Sequence, residues 1–395
     1  MKILMLTPYL PYPLLSGGQI RTYNLLKHLS KDHEITLFAL IKDQEEKRYI
    51  PELEKICHQV KVFKRPRKPF TLKNIFKTGF SKYPFLVIRN YSKDAAKAVK
   101  LALAEKEFNL IHAETFYMMP HLPETQVPTI LVEQTIEYLG YESYANKALP
   151  LIRPLLNIDI DKIKNWEKYY WKKADKLIVM SEEDKDFVAQ EIKNTKKIAV
   201  VENGVDVAWF DEKKTQKPDQ PTVLFVGTFN WLPNREAVDF LVSQVWPKLK
   251  QEVKNIRLWI VGNSPTEEIL KLKQLDPQIE VTGGIPDIRD AFKKASVLVA
   301  PVFSGKGTRY KVLEAMAAGT PIVATSLAVE GLKVKHNEHV LIANEADKMA
   351  QATKKLIDQP ELAKKLAKNA KKFVKTHYDW PLIAQKLNQI YNSFA

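Results

Sequence analysis

Pro301-Val302-Phe303-Ser304-Gly305-Lys306-Gly307-Thr308-Arg309-Tyr310-Lys311-Val312-Leu313-Glu314 follows an apolar run, Val297–Ala300, and leads into Ala315-Met316-Ala317-Ala318, closed by Gly319. A buried strand, a glycine-rich loop and a helix start, in that order, suit an anion: free N–H groups and the helix dipole favour phosphate. Lys306, Arg309 and Lys311 add positive charge. Lys311 and Glu314 are three apart, hence on one helix face. Glu314 lies ~9 Å along the helix from Thr308 at ~1.5 Å per residue. A diphosphate at the helix start therefore offers its ribose hydroxyls to a carboxylate that can accept two hydrogen bonds. A surface Lys311–Glu314 ion pair would account for the spacing but not for the glycines Gly305 and Gly307.

The same strand-then-helix order runs outward in both directions. Ile3–Leu6, Ile35–Ile41, Leu110–Ile111, Thr129–Val132 and Leu177–Met180 read as buried strands, followed by Val223–Val226, Leu258–Val261, Val297–Ala300 and Ile322–Ala324. Few of these runs alternate, so both faces of the sheets are covered. Helical stripes lie between them, such as Val238, Leu241, Val242 and Val245. This order predicts an α/β protein with parallel sheets packed between helices. The polar, proline-bearing stretch within 205–220 marks the domain boundary, giving domains at 1–204 and 205–377. A final helix, 378–395, carries Leu382, Ile383, Leu387 and Ile390 on its apolar side.

The chain has 395 residues, 61 Lys and Arg against 46 Asp and Glu, and a net charge of +15. Its balance of 45% hydrophobic and 27% charged residues excludes disordered and fibrous classes. The positive charge suits an anionic partner. One cysteine, Cys57, excludes an internal disulfide and points to a reducing compartment. The apolar start is broken early by Pro8, Pro11 and Pro13, which favours a buried first strand over a secretory signal. No apolar run is long enough to span a bilayer. These features predict a cytoplasmic protein.

Four further groups carry candidate chemistry. Gly17 and Gly18 sit between the first strand and the helix bearing Leu25, Leu26 and Leu29, where backbone can approach a phosphate or simply turn. His112 and Glu114 follow a strand, at the sheet edge where ligands of open α/β folds bind. Gln134 and Glu137, after the strand Thr129–Val132, have the same standing. Residues 61–100 hold twelve Lys and Arg against one acid, Asp94, interleaved with Phe70, Phe76, Phe80, Tyr83 and Phe85. That segment suits an anionic membrane surface better than nucleic acid, or else a solvated face with core aromatics.

Taken together these segments resemble the retaining glycosyltransferases of family 4. The resemblance covers nearly the whole chain. It rests on Thr7-Pro8, Gly17-Gly18 and His33-Glu34-Ile35-Thr36-Leu37, then Ala174-Asp175-Lys176 through Ser181 and Val201-Glu202-Asn203-Gly204-Val205-Asp206. Phe225-Val226-Gly227 opens the second domain. Leu313-Glu314-Ala315-Met316-Ala317-Ala318-Gly319-Thr320-Pro321 is the most specific stretch, followed by Glu330-Gly331-Leu332. The Gly307-Thr308-Arg309-Tyr310-Lys311 loop and Trp231-Leu232-Pro233-Asn234 are similar to one branch of that family.

The resemblance implies the GT-B fold: two Rossmann-like domains with parallel sheets facing across a cleft, the last helix packing back on the first. It implies a hexosyl transfer from a nucleotide diphosphate sugar to an acceptor hydroxyl with retained configuration, in cell-surface glycan or glycolipid synthesis. Gly17 and Gly18 would approach the donor phosphates or sugar, and Gly227 and Thr228 the donor. Gly284 and Ile285 would face the nucleobase. Lys306, Gly307, Thr308, Arg309 and Lys311 would meet the diphosphate, and Glu314 the ribose. Lys311 and Arg309 would stabilise the leaving charge, with His112 or Glu114 as further catalytic candidates. Glu114 stands at the place of a histidine common in the family, and Lys306 at that of a glutamate. No metal or other cofactor is expected. The acceptor would be a glycan or lipid-linked glycan, with no nucleic-acid partner. A non-catalytic partner subunit and a nucleotide-sugar epimerase of the same fold are the alternatives.

Overall fold

The computed structural model describes residues 1–66, 71–105, 107–216, 218–305 and 307–394, without the side chains of Leu72, Lys73, Ile75 and Lys147. The chain divides into two compact units, residues 1–202 with 383–395, and residues 203–382.

The first unit holds β1 (Lys2–Thr7), β2 (Glu34–Ile41), β3 (Gln59–Lys64), β4 (Leu110–Glu114), β5 (Thr129–Val132), β6 (Lys176–Val179) and β7 (Ile198–Val200). They form one sheet in the order β3-β2-β1-β4-β5-β6-β7, and every neighbouring pair is parallel. The second unit holds β8 (Thr222–Val226), β9 (Arg257–Val261), β10 (Ile279–Val281), β11 (Val297–Ala300), β12 (Ile322–Ala324) and β13 (Leu341–Ile342). Their order is β10-β9-β8-β11-β12-β13, again all parallel. Both orders reverse direction beside the first strand of the unit, which opens a crevice at the strands' carboxyl ends.

Burial explains the unbroken apolar runs. In the second sheet Leu224, Leu298 and Ala324 pack into one core cluster, while their neighbours Val223, Val297 and Val323 pack into another on the opposite face. A strand covered on both sides needs apolar residues at every position. The strands that the apolar-run reading did not mark, β3, β7, β10 and β13, are the edge strands of the two sheets. There one side needs no cover, and β3 reads Gln59-Val60-Lys61-Val62-Phe63-Lys64 with no residue fully buried.

The last helix, Trp380–Asn392, corrects the expected stripe. Ile383, Ala384, Leu387 and Tyr391 are buried, whereas Leu382 is exposed. Positions 383, 387 and 391 repeat every four residues and hold one face; Leu382 precedes that face by about 100°. From Ile383 onward the helix belongs to the first unit, where Asn388 Oδ1 meets His33 Nε2 at 2.6 Å and Lys386 Nζ donates to Glu202 Oε2 at 2.8 Å.

Candidate active site

In the second unit the loop after β11 feeds the helix Tyr310–Ala318, whose N-cap, Arg309, offers no side-chain cap. The helix start therefore keeps N–H groups for a ligand. Gly319 ends it with a φ of +75°, a left-handed cap that glycine adopts without strain. Gly305 and Gly307 both have a φ of +87°, so the loop turns twice where side chains would be strained.

Arg309 shapes this loop. Its Nη1 donates to Gly307 O (2.8 Å) and its Nη2 to Ser304 O (3.2 Å) and Gly305 O (2.8 Å). The expectation of a direct phosphate contact gives way to a loop-folding role, because its terminal nitrogens already face three carbonyls. Its charge nonetheless stays close enough to act on Lys311. Thr308 is half-buried beside it. Lys306 lies outside the described residues.

Lys311 is 8% exposed. Its Nζ donates to Asn234 Oδ1 at 2.8 Å and stands 4.3 Å from the centre of the Phe225 ring. Asn234 is fixed in turn, since its Nδ2 donates to Thr228 O at 2.8 Å. Burial pulls the Lys311 pKa down to about 7, helped by the Arg309 charge and opposed by Glu314. Glu314 is half-buried and makes no hydrogen bond or ion pair with the described residues. Burial raises its pKa to about 7, with Lys311 pulling the other way. Lys311 thus engages a neutral amide rather than Glu314, and the simple ion pair that would have explained their spacing does not form. What remains is a lysine without a counter-ion contact and a carboxylate without a donor, on one face behind an open helix start.

The carboxyl ends of β8, β9 and β10 close beside them. A Cβ on Gly227 would lie 2.8 Å from Asn234 Cγ, and one on Gly262 would lie 1.6 Å from Gly227 O. A Cβ on Gly284 would lie 2.1 Å from Asn263 Oδ1, while Gly284 itself is exposed and Ile285 packs against the core. Gly227 and Gly284 therefore permit close loop packing within the protein. Gly262 was not singled out from the sequence; its signal was a glycine directly after a strand.

In the first unit the structure joins several candidates into one buried chain. Tyr391 Oη and His112 Nδ1 are 2.6 Å apart, and His112 Nε2 and Glu114 Oε1 are 3.0 Å apart. Burial works against ionisation of Glu114, but the His112 hydrogen bond and charge, with Arg21 and Gln134, hold its carboxyl below the ordinary value. An ionised carboxylate only accepts, so His112 donates to Glu114 from Nε2. Gln134 Nε2 then donates to Glu114 Oε2 (2.7 Å) and to Tyr9 Oη (2.6 Å). His112 and Glu114 are both 0% exposed, which corrects the expectation that either faces a ligand. Gln134 and Tyr9 are the half-buried members of the chain. A Cβ on Gly18 would lie 2.6 Å from Tyr9 Oη and 2.9 Å from Gln134 Oε1, so Gly18 is explained by this packing. Gly17 opens the helix Gly17–Leu29, with Ser16 as its cap. Glu137 is half-buried, and its backbone N–H donates to Glu167 Oε1 at 2.8 Å. Tyr391 carried no sequence signal, because nothing in the chain order links it to residues 279 positions earlier.

Residues 15–209 match the family described as Glycosyltransferase Family 4, and residues 220–359 match the family described as Glycosyl transferases group 1. A Klebsiella pneumoniae protein, described as an uncharacterized 44.6 kDa protein in the cps region, is 22% identical over 391 residues, covering 96% of each chain. Among solved structures, sucrose-phosphate synthase from Thermosynechococcus elongatus superposes with a TM-score of 0.71 at 18% identity, covering 100% of this chain and 98% of that one. HepE from Anabaena, solved with UDP and glucose, gives 0.65 at 17% identity with both chains fully covered. These similarities show the two-unit GT-B architecture.

Proposed function

We propose that this chain, a member of the GT-B glycosyltransferase superfamily, is a retaining hexosyltransferase. It moves a sugar from a nucleotide diphosphate donor to an acceptor hydroxyl in cell-surface glycan or glycolipid synthesis. The observation that carries this reading is the pair in the second unit: Lys311, held by Asn234 and the Phe225 ring without a counter-ion contact, and Glu314, without a hydrogen-bond or ion-pair partner among the described residues. The donor diphosphate would sit at the start of the helix Tyr310–Ala318, and Glu314 would accept from the ribose hydroxyls. As the glycosidic bond breaks, charge grows on the leaving diphosphate, and Lys311 with the helix N–H groups would stabilise it. Those groups supply positive charge without a metal, and we propose a metal-free reaction. The Anabaena HepE structure with UDP and glucose and the cps-region description of the Klebsiella relative support the donor class and the glycan setting. A partner subunit without catalysis has no use for the unpaired Lys311 and Glu314. A thermal-shift screen of nucleotide sugars tests the reading: one donor should raise the melting temperature, since a ligand bound only by the folded state stabilises it. No shift from any donor, with the protein folded, would count against it.

A second part of the reading concerns location. No helix among the described residues is long and apolar enough to cross a membrane. The first unit nevertheless exposes Phe76, Phe80, Leu149, Leu151, Leu155 and Ile158, with Leu151 89% and Phe80 81% exposed. Leu155, Ile158 and Lys162 follow one face of the helix Arg153–Lys173, and Leu151 lies in the turn before it. Lys162 Nζ donates to Thr78 O (2.6 Å) and Ser81 O (2.8 Å), tying that face to the helix Leu72–Phe80. Neither 61–93 nor 144–158 contains an Asp or Glu. Arg67, Lys68 and Phe70 of the basic segment lie outside the described residues, as do the side chains of Lys73 and Ile75. We propose that this apolar face, flanked by segments in which Lys and Arg outnumber the acids, rests on an anionic bilayer on the cytoplasmic side. A second copy would bring two basic rims together. Each cation near an anionic surface adds on the order of 1 kcal/mol. The protein should co-sediment with anionic vesicles at low salt and less with neutral ones. Leu151→Asp with Leu155→Asp should release it, and a wild type that ignores anionic vesicles would overturn the proposal.

A further inference from the structure

We propose that the first unit binds an anionic group of the acceptor, a phosphate or a sugar carboxylate, through Lys42, Arg65 and Arg89. The inference rests on the transferase reading for the word acceptor, but the site itself is argued from three cations held together at one sheet edge.

Lys42 is the first residue after β2 and Arg65 the first after β3. The two strands run in parallel register, Ile41 opposite Lys64, and Arg65 N donates to Ile41 O at 2.9 Å. Both residues therefore emerge at the carboxyl edge of the sheet, where open α/β folds bind ligands. Arg65 Nη1 bonds to Asn90 Oδ1, and Asn90 Nδ2 donates to Leu86 O at 2.8 Å, so the guanidinium is anchored to the helix Phe85–Asn90. Arg89 is the neighbour of that anchor. Each of Lys42, Arg65 and Arg89 lies within electrostatic range of the other two.

The cations are under-compensated. The Lys42 and Arg89 side chains make no hydrogen bond or ion pair with the described residues. The Arg65 Nε is buried and has no hydrogen-bond partner. Two acids are in range. Glu46 accepts from the backbone N–H groups of Lys42 (2.7 Å) and Asp43 (2.9 Å), which closes a helix cap. Glu137 is half-buried, and burial pushes its pKa to about 7 even with Arg89 nearby, so it neutralises Arg89 only in part at neutral pH. Tyr141 stands in range of Glu137 and Arg89 and adds a hydroxyl donor. Holding three like charges together costs energy that an anion would offset. A guanidinium buried at Nε and fixed at one end is preorganised for oxyanions, which accept in the fork geometry that Arg supplies.

The shared chemistry is a terminal oxyanion, which reaches the site either as a lipid-linked phosphate or as an acidic sugar. Calorimetric titration with farnesyl phosphate and with methyl glucuronide distinguishes them, farnesol and methyl glucoside being the neutral controls. Every protein carries Lys311→Met, so that the phosphate loop of the second unit contributes little. Adding Lys42→Met and Arg89→Met should weaken one of the two anions at least tenfold and leave its neutral control unchanged. Loss on farnesyl phosphate assigns a lipid phosphate, and loss on the glucuronide an acidic sugar. The proposal is overturned when neither anion binds, when both bind equally with and without the two substitutions, or when a neutral control loses as much as its anion. Melting curves check the fold of the double variant, with Arg89→Gln alone as the milder substitute. Donor titration is read separately, on the chain with Lys311 intact: a chain that binds the anion but no nucleotide sugar refutes the transferase reading and leaves the anion site standing.

Discussion

Donor binding should carry a proton signature set by Lys311. The perturbation is Glu314→Gln, which removes the other group near pH 7 and leaves the lysine alone. Lys311 has its pKa lowered to about 7 by burial, with Arg309 adding to the effect and Glu314 opposing it. A bound diphosphate restores the ammonium, so with a free pKa of about 7 the lysine takes up about 0.1 proton at pH 6 and about 0.9 at pH 8 if the complex regains an ordinary lysine pKa, and Glu314→Gln, which removes the opposing carboxylate, increases the uptake at pH 6. Affinity then falls as pH rises, by about tenfold from pH 6 to pH 8, or roughly 1.4 kcal/mol. In the wild type Glu314 acts oppositely. Its pKa is raised to about 7, and ribose donors favour the ionised form, so binding releases its proton and strengthens as pH rises through that range. The wild-type profile should therefore be a bell near pH 7, and Glu314→Gln should remove only the acidic limb. The assay is calorimetry in buffers of differing ionisation enthalpy, using a nucleotide sugar whose phosphates stay ionised throughout. An alkaline limb that persists in Lys311→Gln, or one absent from Glu314→Gln, would refute the assignment.

Glu314→Ala should weaken donor binding by about 1–3 kcal/mol through lost charged hydrogen bonds; its fold should be intact, because the carboxylate holds no partner among the described residues, and an unchanged donor Kd would rule out the ribose role. Chelator should leave turnover unaffected, whereas complete loss with EDTA that metal ions restore would show a required cation. Gly18→Ala places a methyl 2.6 Å from Tyr9 Oη, so it should destabilise the protein by about 1–3 kcal/mol as Tyr9 and Gln134 are forced apart; an unaltered melting temperature would show that this packing is loose.

The fold was legible wherever burial imposes a pattern. Strands covered on both faces, such as β11 and β12, must be apolar throughout, and the alternation of such runs with helical stripes identifies parallel sheets. The edge strand β3 escapes that logic because one side needs no partner, and β13 because its apolar run is only Leu341 and Ile342. At the site, the glycines and cations of 304–311 were readable as a phosphate loop, since chain order alone joins a strand to a helix start. Roles within the loop were not. Arg309 and Lys311 are both cations two residues apart, and only the carbonyls around Arg309 and the amide of Asn234 beside Lys311 separate loop folding from ligand contact. Likewise His112 and Glu114 follow a strand as a ligand-facing pair would. Their burial depends on Tyr391 and Gln134, which reach them only after folding.

The central claim is sugar transfer powered by charge stabilisation at Lys311, and donor turnover by the purified chain tests it most directly. Each nucleotide sugar would be incubated with the protein, release of nucleoside diphosphate measured, and the anomer of the freed or transferred sugar followed by proton NMR. The account predicts turnover of one donor with the configuration retained, and loss of that turnover in Lys311→Met at saturating donor, since the charge it meets grows toward the transition state. Turnover undiminished in Lys311→Met, or inverted configuration in the product, would contradict it.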